Sequence, residues 1–174
     1  MRQMILKPQD IVVAIKIALI GTGNRTYARM ARELAISASE VHASTQRAAQ
    51  AGILSASSEE GLTVTKPALR EFLIHGARYA FPAIFGGMAR GIPTASAGPT
   101  LGELIQTSEE GPPVWPSALG KARGPSLCPL YPSVPKAAAQ DPALYDFLTL
   151  IDGMRVGGAR ERELSKAEIE KRLA

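Results

Sequence analysis

The sequence predicts a mainly α-helical fold with one small β-hairpin, and three observations support this. The first 80 residues hold apolar stripes at helical spacing, each preceded by a residue suited to a helix start. Two short apolar segments between residues 53 and 64 flank a turn rich in serine, which indicates a hairpin. Residues 141–174 return to a helical pattern.

The first half of the chain predicts three helices and the hairpin. Helix one starts near Pro8, a good first-turn residue, and ends at Gly21. Thr26 caps the second helix, and Ser37 caps the third, which stops at Gly52. Four residues of helix three are expected to face inward: Val41, Ser44, Thr45 and Ala48. Ile53-Leu54 and Leu62-Thr63-Val64 form the hairpin strands.

A fourth helix, from Lys66 to Tyr79, completes residues 1–80, which we read as one domain. The remaining residues divide into an arm and a helical end. Residues 81–140 are rich in proline and glycine yet apolar, so we expect an extended arm that lacks regular hydrogen bonding. This arm would pack on its own domain, on a second subunit or on another protein. In residues 141–174, one helix begins after Asp141-Pro142, Gly157-Gly158 breaks it, and Ser165-x-x-Glu168 is expected to cap a short last helix.

Charge and apolar content exclude some classes of protein. The net charge is +4, and residues 1–80 carry ten Lys/Arg against six Asp/Glu, whereas the remainder carries ten of each. A basic half favours a polyanionic partner. The longest apolar run, Ile11 to Ile20, is shorter than a membrane helix and is interrupted by Lys16. A single cysteine, Cys128, fits a reducing compartment, so we expect a cytoplasmic protein without a membrane span.

The segment from Tyr27 to His42 carries the most specific pattern, because two short amphipathic helices are joined by a tight turn. It resembles the winged helix-turn-helix transcriptional regulators, and the MarR-like group in particular. The residues that carry the resemblance are the small Ala31, the apolar Leu34 and Ile36 at the turn, Val41 in the second helix of the motif, and Ile53-Leu54 entering the wing. The resemblance covers about residues 8–80.

The resemblance implies a mainly α fold with a small β wing whose third helix lies in the major groove of DNA. Helical spacing places six polar or small residues on the outward side of this helix: Ser39, His42, Ala43, Gln46, Arg47 and Gln50. Gln can read adenine and Arg can read guanine, so Gln46 and Arg47 are the leading candidates for base contacts. The alternative is a solvated polar face.

Phosphate contacts are expected from four other basic residues: Arg25, Arg29, Arg32 and Lys66. One feature departs from the family, because the predicted wing tip carries Glu59 and Glu60 where a basic tip is usual. Either the wing turns away from DNA, or these four residues replace its contacts.

Enzyme chemistry has weak support in the sequence. Gly21-Thr-Gly23-Asn-Arg-Thr26 resembles the start of a dinucleotide-binding fingerprint, but the third glycine is missing and no second strand ending in an acid follows. His42 and His75 are the only histidines, and their spacing fits no metal site. We therefore expect no enzyme activity, no cofactor and no metal.

These observations predict a sequence-specific, double-stranded DNA-binding transcriptional regulator. Two half-sites require a homodimer, whose interface would come from the final helices or from the helix at 66–79. The alternative is a protein-binding module, or an antitoxin-like protein in which the arm at 81–140 wraps a protein partner.

Overall fold

The fold is mixed α/β. The computed structural model describes residues 4–21, 26–57, 61–106 and 108–174. The helices are α1 (Pro8–Ile20), α2 (Tyr27–Leu34), α3 (Ala38–Gln50), α4 (Lys66–Glu71), α5 (Ala77–Ala80), α6 (Val134–Gln140), α7 (Pro142–Val156) and α8 (Ala159–Arg172). The strands are β1 (Leu54–Ser57), β2 (Gly61–Val64), β3 (Phe85–Pro93), β4 (Val114–Pro116) and β5 (Ala122–Leu127).

Helix starts in the first half follow the predicted capping residues. Pro8 is the first residue of α1, and the Oγ1 of Thr26 accepts a hydrogen bond from the backbone N–H of Arg29 at the start of α2. The Oγ of Ser37 accepts from the N–H of Glu40, which caps α3. Gly52, at φ 75°, follows α3, and β1 then pairs antiparallel with β2, with Leu54 opposite Val64. These predictions are confirmed.

Helix α1 is the central helix of this half. All residues from Gln9 to Ile17 are buried, because α3 packs on one side of the helix and α7 packs on another. The one lysine in this run, Lys16, extends its Nζ to carboxylates of Glu33 at 2.7 Å and Asp141 at 2.6 Å. A buried ammonium is tolerated here because two acids from other helices neutralise it.

The predicted helix from Lys66 to Tyr79 is present but contains one wider turn. Residues Phe72–Gly76 form a π-helical turn between α4 and α5, and the backbone remains helical throughout. A π-turn is a rare, wider turn within an α-helix and is frequently found at functional sites.

The expectation of an extended arm without regular hydrogen bonds is wrong. β3 pairs antiparallel with both β4 and β5, and β4 and β5 are joined by one parallel bridge between Val114 and Ser126. Glycine makes this close approach possible. A Cβ on Gly91 would lie 1.9 Å from the carbonyl oxygen of Trp115, which no side chain permits. The glycines that suggested an irregular arm are therefore required by a compact β-structure.

A buried carboxylate fixes this β-structure to α7. Oδ2 of Asp152 accepts hydrogen bonds from the indole Nε1 of Trp115 at 2.6 Å and from Oγ1 of Thr94 at 2.7 Å. Its Oδ1 accepts from Arg155 at 2.6 Å, and Arg155 also donates to the carbonyl of Phe81. Asp152 is 1% exposed, so these donors replace the hydrogen bonds that its oxygens would otherwise make with water.

The C-terminal helices largely follow the sequence pattern. The side chain of Asp141 caps α7 at the N–H of Leu144, and α7 ends before Gly157 as predicted. The capping box at Ser165 is wrong, since α8 already begins at Ala159 and Ser165 is buried in its middle. A Cβ on Gly153 of α7 would lie 2.2 Å from the Oγ of Ser165, so this serine is a close-packing residue of the α7–α8 interface.

All three parts of the sequence contribute to one apolar core. Ile11, Trp115 and Phe147 belong to the same cluster of buried residues, although they come from residues 1–80, 81–140 and 141–174 respectively. The proposed domain boundaries remain a prediction. The packing shows that α1, the β-structure and α7 share one apolar core.

We expect Asp152→Ala to lower the free energy of unfolding by about 3–5 kcal/mol, because the buried guanidinium of Arg155 loses its counter-ion. Urea denaturation measures this value. The double variant Asp152→Leu/Arg155→Met removes both charges and should be less destabilised than Asp152→Ala. A double variant at least as unstable as the single one would show that the charge pair is not the cause.

Candidate nucleic-acid interface

The turn between α2 and α3 is tight and closed by backbone hydrogen bonds. Ala35 adopts the left-handed conformation at φ 54°, and the N–H of Ile36 donates to the carbonyl of Ala31. Met30 and Leu34 of α2 are fully buried against the core, which fixes the helix that braces α3.

The inner face of α3 is as the sequence predicted. Val41, Ser44, Thr45 and Ala48 are all buried. The Oγ1 of Thr45 donates to the carbonyl of His42 at 2.8 Å, so its hydroxyl is satisfied within the helix. Two hydroxyl residues can therefore line a buried stripe.

Arg47 does not project outward, and this part of the prediction is wrong. Its side chain is 11% exposed and turns toward α1, where its guanidinium donates to Asp10 in a bidentate arrangement at 2.7–3.0 Å. The same group contacts Glu40 at 2.7 Å and the Oγ of Ser44 at 3.1 Å. The reason is the carboxylate of Asp10, which is fully buried and requires a cation. Helical spacing could not reveal this partner on another helix.

The Asp10–Arg47 pair extends into a small polar network. Asp10 also accepts from the backbone N–H of Lys7, and Glu40 accepts from the side-chain amide of Gln9 at 2.9 Å. The hydrogen bond from Gln9 and the guanidinium of Arg47 hold the pKa of Glu40 below its usual value. The bidentate contact between Asp10 and Arg47 locks α3 onto the start of α1.

The other outward residues of α3 are accessible. Ser39, His42, Gln46 and Gln50 are exposed, and Ala43 is half-buried. The amide of Gln46 lies 3.4 Å from Nε2 of His42, and the His42 ring meets Tyr27 edge to face at 5.4 Å. Tyr27 is 39% exposed, and its ring lies beside the polar face of α3.

The basic residues expected at phosphates have different environments. Arg32 and Lys66 are exposed, and Nζ of Lys66 donates to the carbonyl of Ala174 at 2.7 Å. Arg29 is paired with Glu33 at 2.7 Å. Arg25 lies outside the described residues, as do Glu59 and Glu60 of the wing tip.

The ion pairs around α2 affect acidic titration. The hydrogen bond from Arg29, followed by that from Lys16, lowers the pKa of Glu33. Burial opposes a low pKa for Asp141, but hydrogen bonds from Lys16 and from the Leu144 N–H lower it on balance. Burial lowers the pKa of Lys16, yet its two carboxylate partners more than reverse this and raise it.

Alternative chemistry finds little support in the described structure. Ile17 to Ile20 are helical, so the glycines that follow do not end a strand as a dinucleotide site requires, and residues 22–25 lie outside the described part. Among the described residues no group of three His, Cys, Asp or Glu side chains could hold a metal ion. His75 and Cys128 are both exposed and lie on separate elements.

A cavity of about 500 Å³ lies between β3 and the junction of α7 and α8. Its polar lining comprises Ser96, Ser108, Glu110 and Glu161, and no histidine, lysine or arginine of the described chain joins them.

None of the described helices is both long and apolar enough to cross a membrane. Comparison of the chain with protein-family models, curated proteins and solved structures found no match.

We expect Arg47→Ala to act on stability, lowering the unfolding free energy by about 3–5 kcal/mol because it leaves Asp10 buried without a cation. Thermal or urea unfolding measures the change. Gln46→Ala, one position earlier and exposed, is the matched control and should stay within about 0.5 kcal/mol of the parent. Parent-like unfolding of Arg47→Ala would contradict the buried pair.

Stability should fall in acid. The pKa values of Glu33 and Glu40 are lowered by folding, so their stabilisation is complete above the ordinary value of 4.5 and is lost as pH falls through the lower folded values. Urea midpoints between about pH 7 and 3 test this sign. Glu40→Gln should flatten the acid slope, whereas Glu170→Gln on the exposed side of α8 should leave it unchanged.

Proposed function

We propose that this chain is a sequence-specific, double-stranded DNA-binding regulator of the winged helix-turn-helix type, acting as a homodimer. The observation that carries the proposal is the outer face of α3. Four exposed polar side chains lie on α3, the second helix of a tight helix-turn-helix. A buried ion pair anchors this helix to α1. A rigid helix with a polar outer face is what groove reading requires.

The dimensions of α3 suit the major groove. Its 13 residues span roughly 20 Å at 1.5 Å per residue. The side-chain amides of Gln46 and Gln50 each offer a donor and an acceptor that match those of adenine. Ser39 and Ala43 suit contact with thymine methyl groups. The free thiol of Cys128 supports the expectation of a reducing, cytoplasmic environment.

The occupied guanidinium of Arg47 changes the expected preference. Arginine is the commonest reader of guanine, and Arg47 is held by Asp10 and Glu40. The remaining readers are glutamines, a histidine and a serine, so the proposed site is rich in A·T pairs at the positions under the middle of α3.

Phosphate attraction in the proposed complex rests on few residues. Arg32 and Lys66 are exposed, whereas Arg29 and Lys16 already face Glu33. A monomer with so few phosphate contacts would bind weakly, which supports two half-sites and a dimer.

The dimer interface is proposed away from the terminal helices. The apolar residues of α7 and α8, among them Phe147 and Ile169, are buried within one chain. Large apolar side chains are instead exposed near the start of β3: Tyr79, Ile84, Phe85 and Met88, between 53% and 76% exposed. Such a cluster also favours the second candidate function, an antitoxin-like or other protein-binding module.

Selection of DNA sites from a random pool with the parent protein tests the proposal, and Gln46→Ala and Arg32→Ala separate reading from attraction. Gln46→Ala should weaken binding to the selected site by about 1–3 kcal/mol and relax the choice of base. Arg32→Ala should weaken all sequences alike and reduce the slope of log affinity against log salt by about one.

Both variants must keep the melting behaviour of the parent for this comparison to count. Arg160→Ala, on the exposed side of α8, is the matched charge control and should leave DNA affinity unchanged. No duplex binding at low salt, or an unchanged site preference in Gln46→Ala, would favour the protein-binding alternative.

A further inference from the structure

A second cleft, of about 240 Å³, lies between the helix that contains the π-turn and α8. Its floor is apolar, formed by Ile74 and Met154, which are 8% and 5% exposed. Its walls are basic: Arg78 on one side, and Arg162 and Lys166 on the other. The cleft shares no lining residue with the outer face of α3.

The basic side chains of this cleft outnumber its one acidic side chain. Within the part of the chain that the structure describes, Arg78, Arg162 and Lys166 form no ion pair, although Glu163 also lines the cleft. Arg162 donates to the carbonyl of Gly157 at 2.6 Å, and Arg78 lies 5.3 Å from the ring centre of Tyr79. This contrasts with Lys16, Arg47, Arg155 and Arg172, each of which meets a carboxylate.

The position of the cleft gives an independent reason to expect a ligand. Ile74 and His75 belong to the π-turn Phe72–Gly76, and Arg78 follows in the next turn of the same helix. The exposed ring of His75 adds nitrogen atoms for hydrogen bonding beside the cations. π-turns are rare in helices and are frequently found at functional sites.

We propose that this cleft binds a small phosphate monoester. Two guanidiniums and an ammonium suit the dianion and its oxygen atoms, and the apolar floor suits a short carbon chain. The volume is below the roughly 300 Å³ at which pockets for drug-sized ligands begin, which favours a small metabolite over a nucleotide. The DNA backbone is a different occupant, because its phosphodiester is a monoanion within a continuous strand.

Calorimetric titration of the full chain with glycerol phosphate at constant ionic strength tests the proposal. The parent should show saturable binding to one site, and uncharged glycerol should show none. The double variant Arg78→Ala/Lys166→Ala should bind glycerol phosphate at least tenfold more weakly. Neither residue is buried, and the unfolding curve of the variant should match that of the parent.

The matched control is Arg160→Ala/Lys171→Ala, which removes the same charge from the exposed side of α8. It should bind glycerol phosphate like the parent. Equal losses in the two double variants would mean general charge attraction and would overturn the site. Absence of saturable binding by the parent would also overturn it. The same holds if a short DNA duplex of random sequence competes with glycerol phosphate for this cleft.

Discussion

The fixed position of α3 depends on one buried carboxylate. Asp10 lies in α1 without access to water, and the guanidinium of Arg47 is the cation that neutralises it. A buried charge left alone costs several kcal/mol, so the two helices cannot separate or rotate without losing this pair. Arg47 faces α1, whereas Ser39, His42, Gln46 and Gln50 of the same helix are exposed.

Asp152 imposes the same constraint on the other half of the molecule. It accepts hydrogen bonds from Thr94, which follows β3, from Trp115 of β4 and from Arg155 of its own helix. Burial raises the pKa of Asp152, and its arginine and hydrogen-bond partners act against that shift. The β-structure is thereby oriented on α7 by direction-specific bonds in addition to apolar packing, which by itself has no direction.

Local sequence predicted those features whose cause is local. Pro8, Thr26, Ser37 and Asp141 start helices because a cap acts within three residues of its position. Partners far along the chain were missed. Arg47 looked like a surface residue because Asp10 is 37 positions away, and Ser165 looked like a cap because Gly153 of the neighbouring helix was invisible to a local pattern.

The middle segment was misread for a related reason. Proline and glycine are typical of irregular chain, yet Gly91 is present because the Trp115 carbonyl occupies the space of a side chain. Glycine composition does not distinguish a flexible segment from one in which two backbones touch. Of the candidate interface, spacing predicted the exposed Ser39, His42, Gln46 and Gln50, while Tyr27 and the true direction of Arg47 required the packing of α1, α2 and α3.

The burial of α1 from Gln9 to Ile17 has a consequence for the evolution of the chain. α1 packs against α3 from the first half of the sequence and against α7 from its last third. Recombination that transferred only the first 80 residues to another gene would strip α7 from Ile11 to Ile17 and release Asp141 from Lys16. Transfer of α3 to another protein with its present packing would therefore require both α1 and α7.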